Sequence, residues 1–239
     1  MSWKEKLIVA LDVSKPDAAL SIVDRLSEFV QVFKVGFELF VSAGPGIIRD
    51  IHSRGKMVFL DLKFHDIPNT VSRAAVCATR LGVYMFNMHT SGGLEMMQRC
   101  REAVDDLCVK ESLPRPKMLG VTVLTSLNSQ MLKNELVVQH GLKTHVKHLA
   151  ALAQQAGLDG VIASPHEISL VKQTCGDRFI VVTPGIRPSW LPTDDQRRSA
   201  TPKEALRQGA DYIVMGRGIL KQADPIKALE LISLEMLTA

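Results

Sequence analysis

Eight short apolar runs recur along the chain, and no other feature limits its possible folds so tightly. They span residues 6–13 (KLIVALDV), 30–36 (VQVFKVG), 56–63 (KMVFLDLK), 83–90 (VYMFNMHT), 118–125 (MLGVTVLT), 158–164 (LDGVIAS), 178–185 (RFIVVTPG) and 211–217 (DYIVMGR). A strand with one wet face alternates apolar and polar residues, whereas a strand covered on both faces reads as a near-continuous apolar run. These runs are of the second kind. Helical periodicity fills the spaces between them. Leu20, Val23, Leu26 and Val30 share one face, as do Val71, Ala74, Ala75 and Ala78 after Pro68. Further sets are Leu94, Met97, Val104 and Leu107; Val146, Leu149, Ala150 and Ala153; and Ile226, Leu229 and Ile232. Two helix starts carry capping boxes with proline at the first helical position, one from Ser164 to Glu167 and one from Thr201 to Glu204. Residues 128–156 leave room for two helices in one crossover. Eight strands alternating with helices in 239 residues predict an α/β fold, a TIM (β/α)8 barrel. A doubly wound sheet is the structural alternative. No linker or shift of composition divides the chain, so residues 1–239 are expected to form a single catalytic barrel domain.

Composition narrows the class of function. Hydrophobic residues make up 46% and aromatic residues only 5%, so aliphatic side chains must fill the core. The net charge of +4 is scattered, which argues for a solvated surface and against a nucleic-acid partner. No apolar run reaches the roughly 18 residues of a membrane span, and the first apolar run is too short for a signal peptide. Cys77, Cys100, Cys108 and Cys175 form no C-x-x-C pair. They read as reduced, mostly buried thiols of a cytoplasmic protein.

Barrel chemistry gathers at the C-terminal ends of strands, and those ends are polar here. Asp12 closes the first run and Lys34 lies in the second. Asp61 and Lys63 close the third, followed by Asp66, and Thr125 and Ser126 close the fifth. A single charged residue in such a run also fits a misjudged strand boundary. Asp61 and Lys63 are harder to set aside, because residues two apart in a strand point to one face. Both are expected at the barrel mouth, with Lys34 on the neighbouring strand. Alternating lysine and aspartate would offset each buried charge and keep both kinds ionised. A fixed carboxylate can then repel a bound anion while an ammonium waits as proton donor.

The loops after the seventh and eighth strands often bind phosphate in barrels. Here they hold Gly185 and Arg187, and Gly216, Arg217 and Gly218. Glycine lets backbone N–H groups approach an anion, and arginine offers a bidentate contact. Residues 188–200, with Trp190, Gln196, Arg197 and Arg198, read either as a lid or as an idle surface loop. His89 ends the fourth strand and suits a substrate contact or a structural hydrogen bond equally. His145 and His148 read as surface histidines. No zinc-spaced set, P-loop, dinucleotide fingerprint or nucleophile elbow occurs.

The segment from Asp61 to Thr70, DLKFHDIPNT, closely resembles the D-x-K-x-x-D-I-P-x-T signature of the orotidine 5'-phosphate decarboxylases. Landmarks in family order extend the resemblance along the chain: ALD ending at Asp12, FKVG from Phe33, LTS ending at Ser126, VTPGIR ending at Arg187, Gln196 with Arg197, and VMGR ending at Arg217. It is similar to the bacterial branch. The resemblance implies decarboxylation of orotidine 5'-monophosphate to uridine 5'-monophosphate (UMP) in pyrimidine synthesis, by a homodimer using neither metal nor organic cofactor. It implies that Lys63 protonates C6 of the pyrimidine, that Asp61 sits against the departing carboxylate, and that Asp66 of the partner subunit completes the array. Asp12 and Lys34 would bind ribose hydroxyls, with Thr70 reaching across the dimer. Ser126, beside Thr125, would bind the pyrimidine edge. Gln196, Arg217 and the backbone of Gly216 would hold the phosphate, and Arg187 belongs to the closing loop.

Two rivals share parts of this pattern. One is another phosphosugar barrel, such as a keto-gulonate-phosphate decarboxylase or a pentose-phosphate epimerase. The former shares a D-x-K element, but resembling members hold magnesium with acidic residues, and Lys34 stands where such a ligand is expected. The other is a non-catalytic phosphate-binding barrel, which would not need a carboxylate facing an anionic ligand. Loss of orotidylate absorbance is therefore expected to continue unchanged after exhaustive EDTA treatment. Abolition by EDTA with recovery on adding magnesium would favour the metal-dependent rival.

Overall fold

The computed structural model describes residues 3–191 and 199–238. Eight parallel strands close into a barrel in sequential order: β1 (Leu7–Ala10), β2 (Val32–Gly36), β3 (Met57–Phe64), β4 (Met85–His89), β5 (Lys117–Val121), β6 (Gly160–Ile162), β7 (Ile180–Thr183) and β8 (Tyr212–Met215). Closure is made by β1, which pairs β2 through Ile8 and Val32 and pairs β8 through Ile8 and Val214. The barrel, and not the doubly wound alternative, is the fold.

Every expected strand forms, but most stop earlier than the apolar runs suggest. Strand β1 ends at Ala10, so Asp12 stands beyond the ladder. Strand β5 ends at Val121 instead of residue 125. There the chain turns, with the Leu127 N–H bonding the Leu124 carbonyl at 3.0 Å, which leaves Thr125 and Ser126 on a loop. Strand β7 stops before Pro184, which has no N–H to give a ladder. The five helical patterns become helices Pro16–Leu26, Pro68–Arg80, Leu94–Glu111, Leu142–Gln155 and Pro225–Leu237, except that Val30 of the first pattern lies past the helix end. The long crossover after β5 does hold two helices, Ser129–Asn134 and Leu142–Gln155. The box at Thr201 caps helix Pro202–Arg207: its hydroxyl accepts from the Glu204 N–H at 3.2 Å and its own N–H donates to Glu204 Oε2 at 2.9 Å. Two short helices between β2 and β3, Phe37–Ala43 and Gly46–His52, carried no clear periodic signal. Gly44 and Pro45 interrupt the pattern between them, and Gly44 takes a positive φ of 64°.

The core has two layers. Outward residues such as Val9, Phe33, Val35, Val58 and Leu60 pack beneath the helices. Inward residues Ile8, Ala10, Val32, Phe59, Met85, Leu119, Val182, Tyr212 and Val214 fill the barrel itself. Its lower end is closed by the hydroxyls of Tyr84 and Tyr212, 2.8 Å apart, with Lys117 Nζ 4.0 Å from the Tyr84 ring centroid. Because side chains alternate along a strand, the inward residues next above Val32, Phe59 and Met85 are Lys34, Asp61 and Asn87. The apolar plug therefore ends where the charged groups begin.

Among the described residues, no helix is long and apolar enough to cross a membrane. All four cysteines are free, but only Cys100 is buried and Cys77 is exposed, which corrects the expectation of mostly buried thiols. Burial pushes the Cys100 thiol up to about 12.

Gly160 lets β6 and β7 approach closely. A Cβ there would lie 2.2 Å from the Ile180 carbonyl oxygen, a backbone atom that cannot swing aside. Gly160→Ala is expected to cost about 1–3 kcal/mol of stability. This would be read as a lower urea midpoint at unchanged m-value. An unchanged midpoint would show that the two strands have room to part.

Candidate active site

Four side chains at the barrel mouth form one chain of alternating charge. Asp12 Oδ1 lies 3.0 Å from Lys34 Nζ, Lys34 Nζ lies 3.3 Å from Asp61 Oδ2, and Lys63 Nζ donates to Asp61 Oδ1 at 2.6 Å. Exposure grades along it: the Lys34 and Asp61 side chains are each 11% exposed, Lys63 25% and Asp12 59%. The inner members are therefore shielded from water, and their charges must answer to one another. Burial alone would depress Lys34, but Asp61 and then Asp12 outweigh it and hold its pKa above the ordinary lysine value. Burial alone would raise Asp61, but Lys34 and Lys63, with hydrogen bonds from Lys63 and Asn87, hold it below the ordinary carboxyl value.

The strand that carries Asp61 and Lys63 is irregular. Pairing of β3 with β4 runs from Leu60 opposite Phe86 to Phe64 opposite Met88, so Asp61, Leu62 and Lys63 together face Asn87 alone. Lys63 has a φ of 43°, an uncommon conformation for a residue with a side chain. Alternation survives, since Leu62 and Phe64 still pack against the outer core, so Asp61 and Lys63 share the inner side as expected. Regular ladder pairing does not survive. The Lys63 N–H donates to Asn87 Oδ1 at 2.8 Å, and Asn87 Nδ2 donates to Asp61 Oδ1 at 2.7 Å. Sequence reasoning missed Asn87. The only signal was an amide inside an apolar run, and the structure buries it completely.

Hollows lie around this array. A cavity of about 170 Å³ has Lys34, Asp61 and Lys63 on one wall, with Val121, Val123, Ile162, Pro184 and Val214 on the other. Thr125 reaches its rim, while Ser126 is exposed beside it and is not among the lining residues. A smaller hollow of about 40 Å³ adjoins through Val214 and is lined by Gly185, Arg187, Gly216, Arg217 and Gly218. The two loops expected to suit an anion are thus brought together. Gly216 also packs close, since a Cβ there would lie 3.4 Å from Asp12 Oδ2. Another hollow lies on the other side of Lys63, between Phe37, Phe64, His65, Asp66 and Thr70.

Asp66 and Thr70 are exposed on that flank. Asp66 Oδ1 accepts from the Ile67 N–H at 2.6 Å and stands outside the ion-pair chain. His89 is half-buried with its ring centroid 5.2 Å from that of His65. Burial, then His65 and Lys63, hold its pKa below the ordinary histidine value. Gln196, Arg197 and Arg198 lie outside the described residues, as does much of the 188–200 loop. Among the described residues, no cluster of three histidine, cysteine or acidic side chains is placed to hold a metal ion.

Comparison with known proteins supplies an independent finding. The family model described as "Orotidine 5'-phosphate decarboxylase / HUMPS family" matches residues 5–232. A protein of Moorella thermoacetica named orotidine 5'-phosphate decarboxylase is 48% identical over 236 residues, covering 99% of this chain and 94% of that protein. One of the same name from Syntrophotalea carbinolica is 49% identical over 237 residues, covering 99% and 96%. The crystal structure of orotidine 5'-phosphate decarboxylase from Lactobacillus acidophilus superposes with a TM-score of 0.85 at 37% identity, covering 97% of this chain and 99% of that one.

The two lysines should keep Asp61 ionised in acid. A depressed carboxyl pKa means that Asp61 binds its proton only below the ordinary value of 3.8. Its contribution to stability is therefore complete above that value and lost as pH falls through the lowered one. With Asp61 carboxyl-labelled, the titration midpoint of its carbon resonance is expected to fall below pH 3.8, where an ordinary aspartate is half protonated. A midpoint at or above that pH would mean that burial, not the lysines, governs the group.

Proposed function

The chain belongs to the orotidine 5'-phosphate decarboxylase / HUMPS family and is a carboxy-lyase that converts orotidine 5'-monophosphate to UMP in pyrimidine synthesis; from that premise we propose that it works by fixed charge, with Lys63 as the proton donor. The observation that carries the mechanism is the shielded run Lys34–Asp61–Lys63 lining one cavity together with Val121 and Val214.

The reaction is hard for a reason of orbital geometry. When the bond between C6 and the carboxylate breaks, the electron pair stays on C6 in the plane of the ring. It cannot spread into the π system, so no electron sink within the substrate helps. What remains is electrostatic stabilisation by groups already in place. Lys63 meets that need: its ammonium is held beside Asp61 and faces the cavity. Carbon dioxide leaves, one Nζ–H bond of Lys63 breaks, and its proton forms the new C6–H bond of UMP. The neutral amine then regains a proton from water. Asp61 stays ionised and faces the substrate carboxylate. Lys34 offsets Asp61 on the side away from Lys63, so the array neither collapses nor neutralises itself.

The remaining contacts sort by region. Asp12 and Lys34 bind ribose hydroxyls at the more open end of the chain. Thr125 and Ser126 meet the pyrimidine edge. Arg187, Gln196, Arg217 and the backbone of Gly216 hold the phosphate, far from C6. Binding energy gathered there is used to close the 188–200 loop and exclude water. The active unit is a homodimer in the cytoplasm, in which the partner subunit's Asp66 completes the array and its Thr70 reaches the ribose. The exposure of Asp66 and Thr70 beside Lys63 supports that sharing. The array needs neither metal nor organic cofactor.

Two measurements test the mechanism. Lys63→Ala is expected to lose nearly all turnover with unchanged circular dichroism, and substantial residual kcat would move the proton donor elsewhere. Inactive Lys63→Ala and inactive Asp66→Ala proteins are expected to complement after subunit exchange. Random mixing makes half the dimers mixed, each with one intact site, so roughly a quarter of wild-type activity should return. No recovery despite demonstrated exchange would put Asp66 in its own subunit's site.

A further inference from the structure

We propose that Asn87 is a positioning residue for the decarboxylation, holding Lys63 and Asp61 in their working arrangement through a single buried amide. The proposal rests on the reading of Lys63 as proton donor.

The argument starts from the backbone. Between Leu60 and Phe64, β3 takes four steps while β4 takes two from Phe86 to Met88. Such a bulge leaves backbone groups without ladder partners, and a buried unpaired N–H is costly. The Lys63 N–H is one of these, and Lys63 also sits at a φ of 43°. For a residue with a Cβ the left-handed region is sterically unfavourable. That conformation persists only where surrounding structure insists on it.

Asn87 does the insisting. It is the one β4 residue between Phe86 and Met88, its side chain turns inward to the gap, and it is 0% exposed. Its carbonyl oxygen takes the Lys63 N–H at 2.8 Å, and its amide nitrogen donates to Asp61 Oδ1 at 2.7 Å. The same Asp61 oxygen accepts from Lys63 Nζ at 2.6 Å. One amide thus fixes the backbone of the proposed proton donor and the carboxylate that its ammonium must meet. The chemistry is selective. The Lys63 site needs an acceptor, and an ionised Asp61 needs a donor. A neutral amide offers both. Aspartate at this position offers the acceptor but opposes Asp61 with a second negative charge. Leucine has similar shape and offers neither.

The expected signature differs from that of a merely structural residue. Asn87 is not among the residues lining the hollow of Arg187 and Arg217. Asn87→Leu is therefore expected to lower kcat at least 100-fold while changing KM, and Kd for UMP by calorimetry, less than about threefold. Asn87→Asp gives a sharper test. Protonated aspartic acid again presents one donor and one acceptor, so this variant should gain activity relative to wild type as pH falls from 8 to 5. Retention of kcat within threefold by Asn87→Leu would overturn the proposal, as would a flat ratio of Asn87→Asp to wild type. If Asn87→Leu does not fold, the pH ratio of Asn87→Asp decides alone. Lys63→Ala measured alongside separates the two readings. An active Lys63→Ala defeats the proton-donor assignment, whereas an inactive Lys63→Ala with an active Asn87→Leu defeats only the role of Asn87.

Discussion

One oxygen of the Asp61 carboxylate accepts hydrogen bonds from Lys63 and Asn87, while the other faces Lys34. The group is shielded from water, so its charge depends on those three neighbours. Each of them depends on it in turn. Without Asp61, two ammonium groups would face one cavity with no counterion between them, and a buried charge stripped of its partner is strongly unfavourable. The architecture of the mouth follows from this mutual need. Lys34 comes from β2, Asp61 and Lys63 from β3, and Asn87 from β4, so three adjacent strands must hold their register for the array to exist.

The barrel makes that register affordable. Below the mouth, Ile8, Val32, Phe59, Met85 and Leu119 fill the interior with side chains that ask only for packing. They fix the strands without involving the charged groups above. In the upper layer β3 departs from its ladder and Lys63 takes a left-handed backbone. Natural sequences break local rules mainly where function requires it. Here the bulge and a positive φ fall at the proposed proton donor itself, and the buried amide meets it from the neighbouring strand.

Separate hollows meet the array from different sides. The glycine and arginine loops after β7 and β8 adjoin, through Val214, the cavity lined by Lys34, Asp61 and Lys63. The flank bearing Asp66 and Thr70 meets it through Lys63. Such separation suits a mechanism in which remote binding energy assembles a site whose chemistry is electrostatic. It also explains why the motif from Asp61 to Thr70 is compact in sequence yet divides in space. Its first part lines the cavity and its second part looks outward.

The sequence by itself determined the eight strands, the closed β/α order and the polar strand ends, because burial on both faces and helical periodicity are local patterns. It also determined that Asp61 and Lys63 face one way, since alternation along a strand needs no tertiary information. Strand ends were less legible. Thr125 and Ser126 lie past the end of β5 because the chain turns at Leu124, and an apolar run does not reveal where its partner strand stops. Asn87 was illegible for a deeper reason. A lone asparagine in an apolar run has no pattern of its own, and its meaning comes from β3 holding three residues where β4 holds one. That mismatch belongs to a pair of strands and to neither alone. Only the tertiary structure could decide that the Lys63 N–H would lack a ladder partner, and that the side chain facing it would be an amide able to accept that bond and give another to Asp61.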